Sequence, residues 1–133
     1  MKTNKPMKTI LLAIKPRHAS NIYDLIKTIE FRKVIPKCMH PENGGEVVLA
    51  LLYESAPVSK VTGSCILEVH SFSPDGIFDS DTLKKGCITE AEMLAYFRGK
   101  PGYALSVNCV VKLSSPFPLV KTKAPQNFIY WNT

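Results

Sequence analysis

Apolar side chains in this chain alternate with polar ones over short stretches, and proline or glycine closes most of those stretches. Val61, Gly63, Cys65, Leu67 and Val69 fall on one side of residues 58–70, with Thr62, Ser64, Glu68 and His70 mostly on the other. That period of two is what a half-buried β-strand requires. Residues 29–34 alternate in the same way, with Ile29, Phe31 and Lys33 on one face and Glu30, Arg32 and Val34 on the other. Residues 9–14 are an apolar run that stops at Lys15-Pro16, the pattern of a strand buried on both faces.

Between these stretches the period changes. Ala19, Ile22, Tyr23 and Ile26 recur at helical spacing, which predicts a short helix from about His18 to near Lys27. Pro36, Pro41 and Asn43-Gly44-Gly45 mark a loop, and residues 46–53 and 58–70 read as strands. Ser73-Pro74-Asp75-Gly76 is a turn. Thr89 followed three residues later by Glu92 is a capping box, opening a helix to about Arg98 with Met93, Leu94 and Phe97 on its apolar face. Residues 103–113 form a long strand, 114–118 a proline-broken connection, and 128–131 a last strand. The sum is an α+β chain: a small closed or partly closed β-barrel of five to six strands with two or three short helices. We expect a flexible N-terminal arm over residues 1–8 and a single domain over 9–133, since 133 residues match one domain in size.

Composition excludes disordered, collagen-like and coiled-coil classes: 45% of residues are hydrophobic and 21% charged. No apolar run approaches the roughly 18 residues of a membrane helix. The apolar run after Lys8 is followed by Lys15, Pro16, Arg17 and His18 where a cleavage site would need small residues, so it reads as a strand and not a signal peptide. The net charge of +6 is unevenly placed: residues 1–37 hold nine bases and two acids, and the remainder is close to neutral. Such a basic end suits a polyanion or a solvated, lysine-rich surface equally well. Cys38, Cys65, Cys87 and Cys109 are widely spaced, and Cys38-Met39-His40 alone does not make a zinc site, so no metal is expected. Free thiols in a reducing cytoplasm follow, with Cys65 and Cys109 buried in strands.

The chemistry-bearing residues cluster early. Lys15-Pro16-Arg17 follows the first strand, and Lys27, Thr28, Glu30, Arg32 and Lys33 run from the helix into the second. A helix between the two segments brings Lys15 and Lys27 toward one mouth. Arginine and lysine there would hold phosphates, and Glu30 would accept from a base amino group. A lysine desolvated among other cations would serve as a base. The competing reading pairs Glu30 and Arg32 with strand neighbours on a solvated face.

The stretch LLAIKPRHASNIYDLIKTIEFRKVIPK resembles the opening of the ASCH (activating signal cointegrator homology) domain of the PUA-like superfamily. That family carries Lys-Pro after the first strand, a helix, and then a G-x-K-x-x-E-x-R-type motif; Lys15, Pro16, Lys27, Glu30 and Arg32 match it. YESAPVSKVTGSCILEV, with Ser55, Pro57 and Gly63, is similar to a later strand–turn–strand segment, and ITEAEMLAYFRGKPGYAL and APQNFIYW also fit. The family's glycine before the lysine is missing, and Asp24-Leu25-Ile26 stands there.

The resemblance implies a PUA-like barrel with a basic cleft beside the first helix that binds RNA or another single-stranded nucleic acid, or a modified nucleoside. It would be lined by Lys15, Arg17, Lys27, Glu30, Arg32, Lys33 and Ser55. Lys15, Arg17 and Lys33 would contact phosphates, and Glu30 and Arg32 would read or orient a base. A regulatory role in transcription or translation would suit such a module, as would one that binds a nucleotide metabolite or a protein. Some relatives are amidohydrolases of acetylcytidine, which use a lysine, a threonine three residues on, and a distant glutamate. Here Lys27, Thr28 and Glu30 are the candidates: the position three after Lys27 is Glu30, and the nearby hydroxyl is Thr28. Glu68, Glu90 and Glu92 remain open for the distant glutamate. Other relatives are ribonucleases, and related barrels hold a flipped base, for which Tyr53, Tyr96 or Tyr103 would serve as a stacking ring. A cytoplasmic monomer without cofactor and away from membranes is expected. His18 and His70 read as ordinary exposed histidines, Trp131 as a plug at one end of the barrel, and Lys121-Thr122-Lys123 as added cationic surface.

Overall fold

The computed structural model describes residues 6–131. Six strands form one sheet: β1 (Lys8–Ile14), β2 (Ile29–Arg32), β3 (Val48–Glu54), β4 (Lys60–Ser73), β5 (Gly102–Phe117) and β6 (Phe128–Tyr130), in the spatial order β2-β5-β4-β3-β1-β6. β1 and β3 are parallel, and every other pairing is antiparallel. Three helices complete the fold: α1 (Pro16–Tyr23), α2 (Ser80–Lys85) and α3 (Glu90–Phe97). Two single-turn 3-10 segments, Lys37–Met39 and Pro41–Asn43, occupy the expected loop. Of the N-terminal arm, residues 1–5 lie outside the described residues, and β1 already begins at Lys8. None of the described helices is long and apolar enough to cross a membrane.

The sheet curls because its longest pair is irregular. The β4–β5 register shifts three times, between Val61 and Gly63, Ser64 and Ile66, and Val69 and Ser71, and each shift adds local twist. Cys109 sits at the second shift with φ of 51° and is exposed, so the buried thiol expected there is not found. β5 also runs through Pro116 to Phe117, where a connection was expected. Proline is tolerated there because β5 has no second partner along that stretch among the described strands.

Inside the curl, Ile10, Leu12 and Ile14 pack against Ala19 and Ile22 of α1, Val48, Ala50 and Leu52 of β3, and Cys65, Leu67 and Leu105. Each fully buried aliphatic contributes roughly 1.5–3 kcal/mol. Leu11 faces the other way, into a cluster with Tyr53 and Val61 that Trp131 partly covers, so β1 is buried on both sides as its sequence indicates. A separate cluster of Ile29, Phe31, Phe78, Leu83, Met93 and Phe97 fixes α2 and α3 against β2. Gly63 is required where α1 crosses the sheet: a Cβ there would lie 2.5 Å from the Tyr23 hydroxyl and 2.3 Å from the Val111 carbonyl oxygen. Tyr23 and Thr62 share a 2.6 Å hydroxyl hydrogen bond at that contact.

α1 ends earlier than its apolar spacing indicates. The helix stops at Tyr23, and Leu25 turns left-handed with φ of 61°. The Leu25 N–H donates to the Ile22 carbonyl (3.0 Å), and the Ile26 and Lys27 N–H groups both donate to the Asn21 carbonyl (2.9 and 3.0 Å). Ile26 is consequently exposed, although it falls on the helical stripe. At the other end of the chain, β6 returns beside β1, and the Trp131 N–H donates to the Thr9 carbonyl (2.9 Å). α3 opens with the expected capping box of Thr89 and Glu92. α2 is a further helix, capped by Asp79, whose carboxylate accepts from the Thr82 N–H at 2.8 Å.

Candidate ligand-binding cleft

The early turn of α1 sets the position of Lys27. With the chain reversed at Leu25, Lys27 points inward, where it is 2% exposed. Its ammonium donates to the Gly86 carbonyl (2.5 Å) and lies 3.3 Å from Glu30 Oε1. Glu30, on the opposite face of β2 from Ile29 and Phe31, is 5% exposed. Its second oxygen accepts from Arg32 Nε (2.9 Å) and Nη2 (2.6 Å). Arg32 also donates to the Ala13 carbonyl (2.7 Å) and to Asn127 Oδ1 (2.9 Å). The face shared by Glu30 and Arg32 is therefore an interior one, and the solvated alternative is excluded.

Burial pulls the Lys27 ammonium below its ordinary pKa, although Glu30 opposes the shift. Burial alone would raise the Glu30 carboxyl, but Arg32 and then Lys27 outweigh it and hold the group below its usual value. Glu30 is thus an internal counter-ion with both oxygens engaged.

Above this triad opens a cavity of about 820 Å³. Lys15, Arg17, Lys27, Glu30, Arg32, Lys33 and Ser55 all line it. Thr28 does not; it is exposed, and its backbone bonds to Lys85 and Val107. Among the three glutamates left open, Glu92 is on the lining, and Glu68 and Glu90 are not. Tyr96 is the tyrosine on the wall, with the Lys33 ammonium 4.8 Å from its ring centre. Tyr53 is buried in the core, and Tyr103 packs against His40 and Phe72 elsewhere.

His18 is half-buried on the cavity wall and not the ordinary surface residue expected. Burial, and then the nearby Lys27, lower its pKa, so the ring is neutral near pH 7. Arg17 Nη2 lies 3.2 Å from His18 Nε2, which makes that nitrogen the acceptor and assigns the proton to Nδ1. Nδ1 is buried and has no partner among the described residues.

Two contributors were not singled out from the sequence. Asn127 accepts from Arg32 and donates to the Val34 carbonyl (3.2 Å), and its own carbonyl accepts from the Ala13 N–H (2.8 Å). Gly86 supplies the carbonyl that holds Lys27 and has no room for a side chain, since a Cβ would lie 2.2 Å from the Phe31 ring. No group of three or more metal-ligating side chains occurs among the described residues.

Crystal structures of ASCH from Zymomonas mobilis share this architecture. The parent protein superimposes with a TM-score of 0.71 at 20% identity, covering 94% of this chain and 88% of that one. Two point mutants of it give TM-scores of 0.70 over 94% of this chain and 89% and 91% of theirs, also at 20% identity. This chain has the ASCH fold. No family model matches the sequence. The ATP synthase subunit alpha of Ureaplasma parvum is 29% identical over 128 residues, and the chain spans 92% of its own length but 15% of that protein's. Within the ASCH fold, the Lys-Pro after β1 starts α1, and the lysine, glutamate and arginine of the second segment form the buried triad. The position where the motif has glycine is Leu25, and the backbone there is left-handed, as a glycine would make it.

Proposed function

We propose that this ASCH-fold chain binds single-stranded RNA, taking one base into the cavity while the rim cations hold neighbouring phosphates. The observation that carries the reading is the cavity itself: about 820 Å³, with five cationic side chains against two carboxylates, and Tyr96 on its wall. That volume is in the range of small-ligand sites, and a ring beside cations suits a base with its phosphates. Lys15 and Lys33 are exposed on the rim and contact phosphates. Tyr96 stacks on the base. Arg32, oriented by Glu30, and Lys27 present N–H groups at the floor and favour acceptor atoms on the ligand. A regulatory role follows from binding without turnover.

Hydrolysis of a modified nucleoside such as acetylcytidine is the second reading, and the geometry favours it less. The aliphatic hydroxyl on the lining is that of Ser55, whereas Thr28 lies outside.

The test is fluorescence anisotropy of a short single-stranded RNA across a salt series, comparing wild type with a Lys15→Ala/Lys33→Ala double variant. These two side chains are exposed, so the fold tolerates their loss. Affinity is expected to fall with salt, and the log–log slope to shrink by about two in the variant. Binding that ignores salt, or a variant that binds equally well, removes the reading and brings acetylcytidine turnover forward.

A further inference from the structure

Glu92 and Arg17 form an ion pair on the rim of the cavity: Arg17 Nη2 lies 2.8 Å from Glu92 Oε2, with 75 residues between them in sequence. Their side chains are 57% and 37% exposed, so the pair contributes little to stability and a competing anion reaches it. Glu92 is nevertheless fixed. Its other oxygen accepts from the Thr89 N–H (3.0 Å), and its own N–H donates to the Thr89 hydroxyl (3.1 Å). The capping box thus holds a carboxylate in front of Arg17 whether or not Arg17 stays. Hydrogen bonds from Arg17 and then from the Thr89 backbone hold this carboxyl down at about 2, so it is an anion throughout the working pH range.

We propose that Glu92 determines the anion selectivity of the cleft by occupying Arg17 as a built-in stand-in for a ligand phosphate. The inference rests on the cleft being a nucleic-acid site. A single phosphate arriving at Arg17 exchanges one charged hydrogen bond for another and meets the Glu92 charge beside it. An RNA strand that also engages Lys15 and Lys33 gains contacts the carboxylate does not contest. Isolated anions and mononucleotides are therefore disfavoured relative to a strand, and Arg17 joins the ligand only when the other rim cations are engaged.

The test compares wild type, Glu92→Gln, Arg17→Ala and the double variant, using a short single-stranded RNA and uridine monophosphate as probes. Glutamine still caps α3 at this position, and an unchanged melting temperature verifies it. Glu92→Gln is expected to bind both probes more tightly, uridine monophosphate by roughly fivefold and RNA by less, so the preference for RNA narrows. In the Arg17→Ala background the gain should vanish. If wild type binds RNA and Glu92→Gln leaves both affinities unchanged, or the gain persists without Arg17, the selectivity role is wrong while the cleft reading stands. If no variant binds either probe, both fail together. RNA binding that appears only in Glu92→Gln supports the block.

Discussion

Arg32 and Asn127 join the two edges of the sheet. β2 and β6 are the outermost strands in the pairing order and share no ladder, yet the Arg32 guanidinium donates to the Asn127 side chain at 2.9 Å and to the Ala13 carbonyl of β1 at 2.7 Å. The barrel is closed at this seam by side chains, and the same guanidinium forms part of the cavity floor.

Removing Arg32 leaves Glu30 buried with Lys27 as its remaining ion-pair partner. Arg32→Ala is expected to destabilise the fold by about 3–5 kcal/mol, and Asn127→Ala by ~1–3 kcal/mol through the lost side-chain bonds. Arg32→Lys should recover little, because a lysine cannot reach Glu30, Ala13 and Asn127 together. Urea denaturation measures all three. An Arg32→Ala protein within about 1 kcal/mol of wild type would show that Glu30 finds water once the guanidinium is gone.

Leu25 is a non-glycine residue in the left-handed region, 70% exposed, so its side chain has little packing to lose. Leu25→Gly should stabilise the protein by about 1 kcal/mol, since the left-handed conformation costs an L-residue roughly 1–2 kcal/mol and the added freedom of glycine in the unfolded chain takes part of that back. Thermal unfolding of the two proteins decides it: an equal or lower melting temperature for the glycine variant contradicts the account.

Stability should fall in acid in two stages. The folded pKa of His18 is lowered by burial and Lys27, so below about 6.5 the unfolded chain takes up a proton that the folded one resists, and stability declines with falling pH. Glu30 also has a lowered folded pKa, with Arg32 and Lys27 overcoming the effect of burial. Its contribution is complete above about pH 4.3 and is lost as pH drops through the folded value. Chemical denaturation from pH 8 to 3 should show both declines, and His18→Gln should abolish the upper one alone. An unchanged upper stage in that variant would assign it to another group.

Gly86→Ala inserts a methyl against Phe31, which is held by Phe78 and Phe97 and has little room to move (ring centroids 5.1 and 6.2 Å away). We expect a loss of ~1–3 kcal/mol together with displacement of the carbonyl that holds Lys27. Circular dichroism melts give the first quantity. A shift of the Lys27 ammonium signal in NMR reports the second, and a spectrum identical to wild type would show that the loop absorbs the methyl elsewhere.

Much of this architecture was legible in the residues, for reasons that also explain the misses. The period of two located the strands, and the Thr89–Glu92 pair located α3, because both signals are local. The end of α1 was not, since the chain reverses at a leucine in a conformation for which sequence alone would lead one to seek glycine. Alternation placed Glu30 and Arg32 on one face but could not say that the face is interior. That depends on α1, on the loop carbonyl of Gly86 and on Asn127, which is distant in sequence. Cys109 misled for a related reason: an apolar run predicts burial only where the register is continuous, and a bulge turns that thiol outward. The lining of the cleft by Lys15, Arg17, Lys33 and Ser55 follows from the Lys-Pro turn and the β1–β3 pairing, whereas the exposure of Thr28 follows from the same reversal that buries Lys27.

The pairing of β1 with β6 has a further consequence. Because Trp131 bonds to Thr9, the chain enters and leaves the described structure at adjacent points on one edge. A unit built this way is modular: spliced into a surface loop of a larger polypeptide, it would ask its host to open no wider than a hairpin does, and neither partner would need to rearrange for the other to fold.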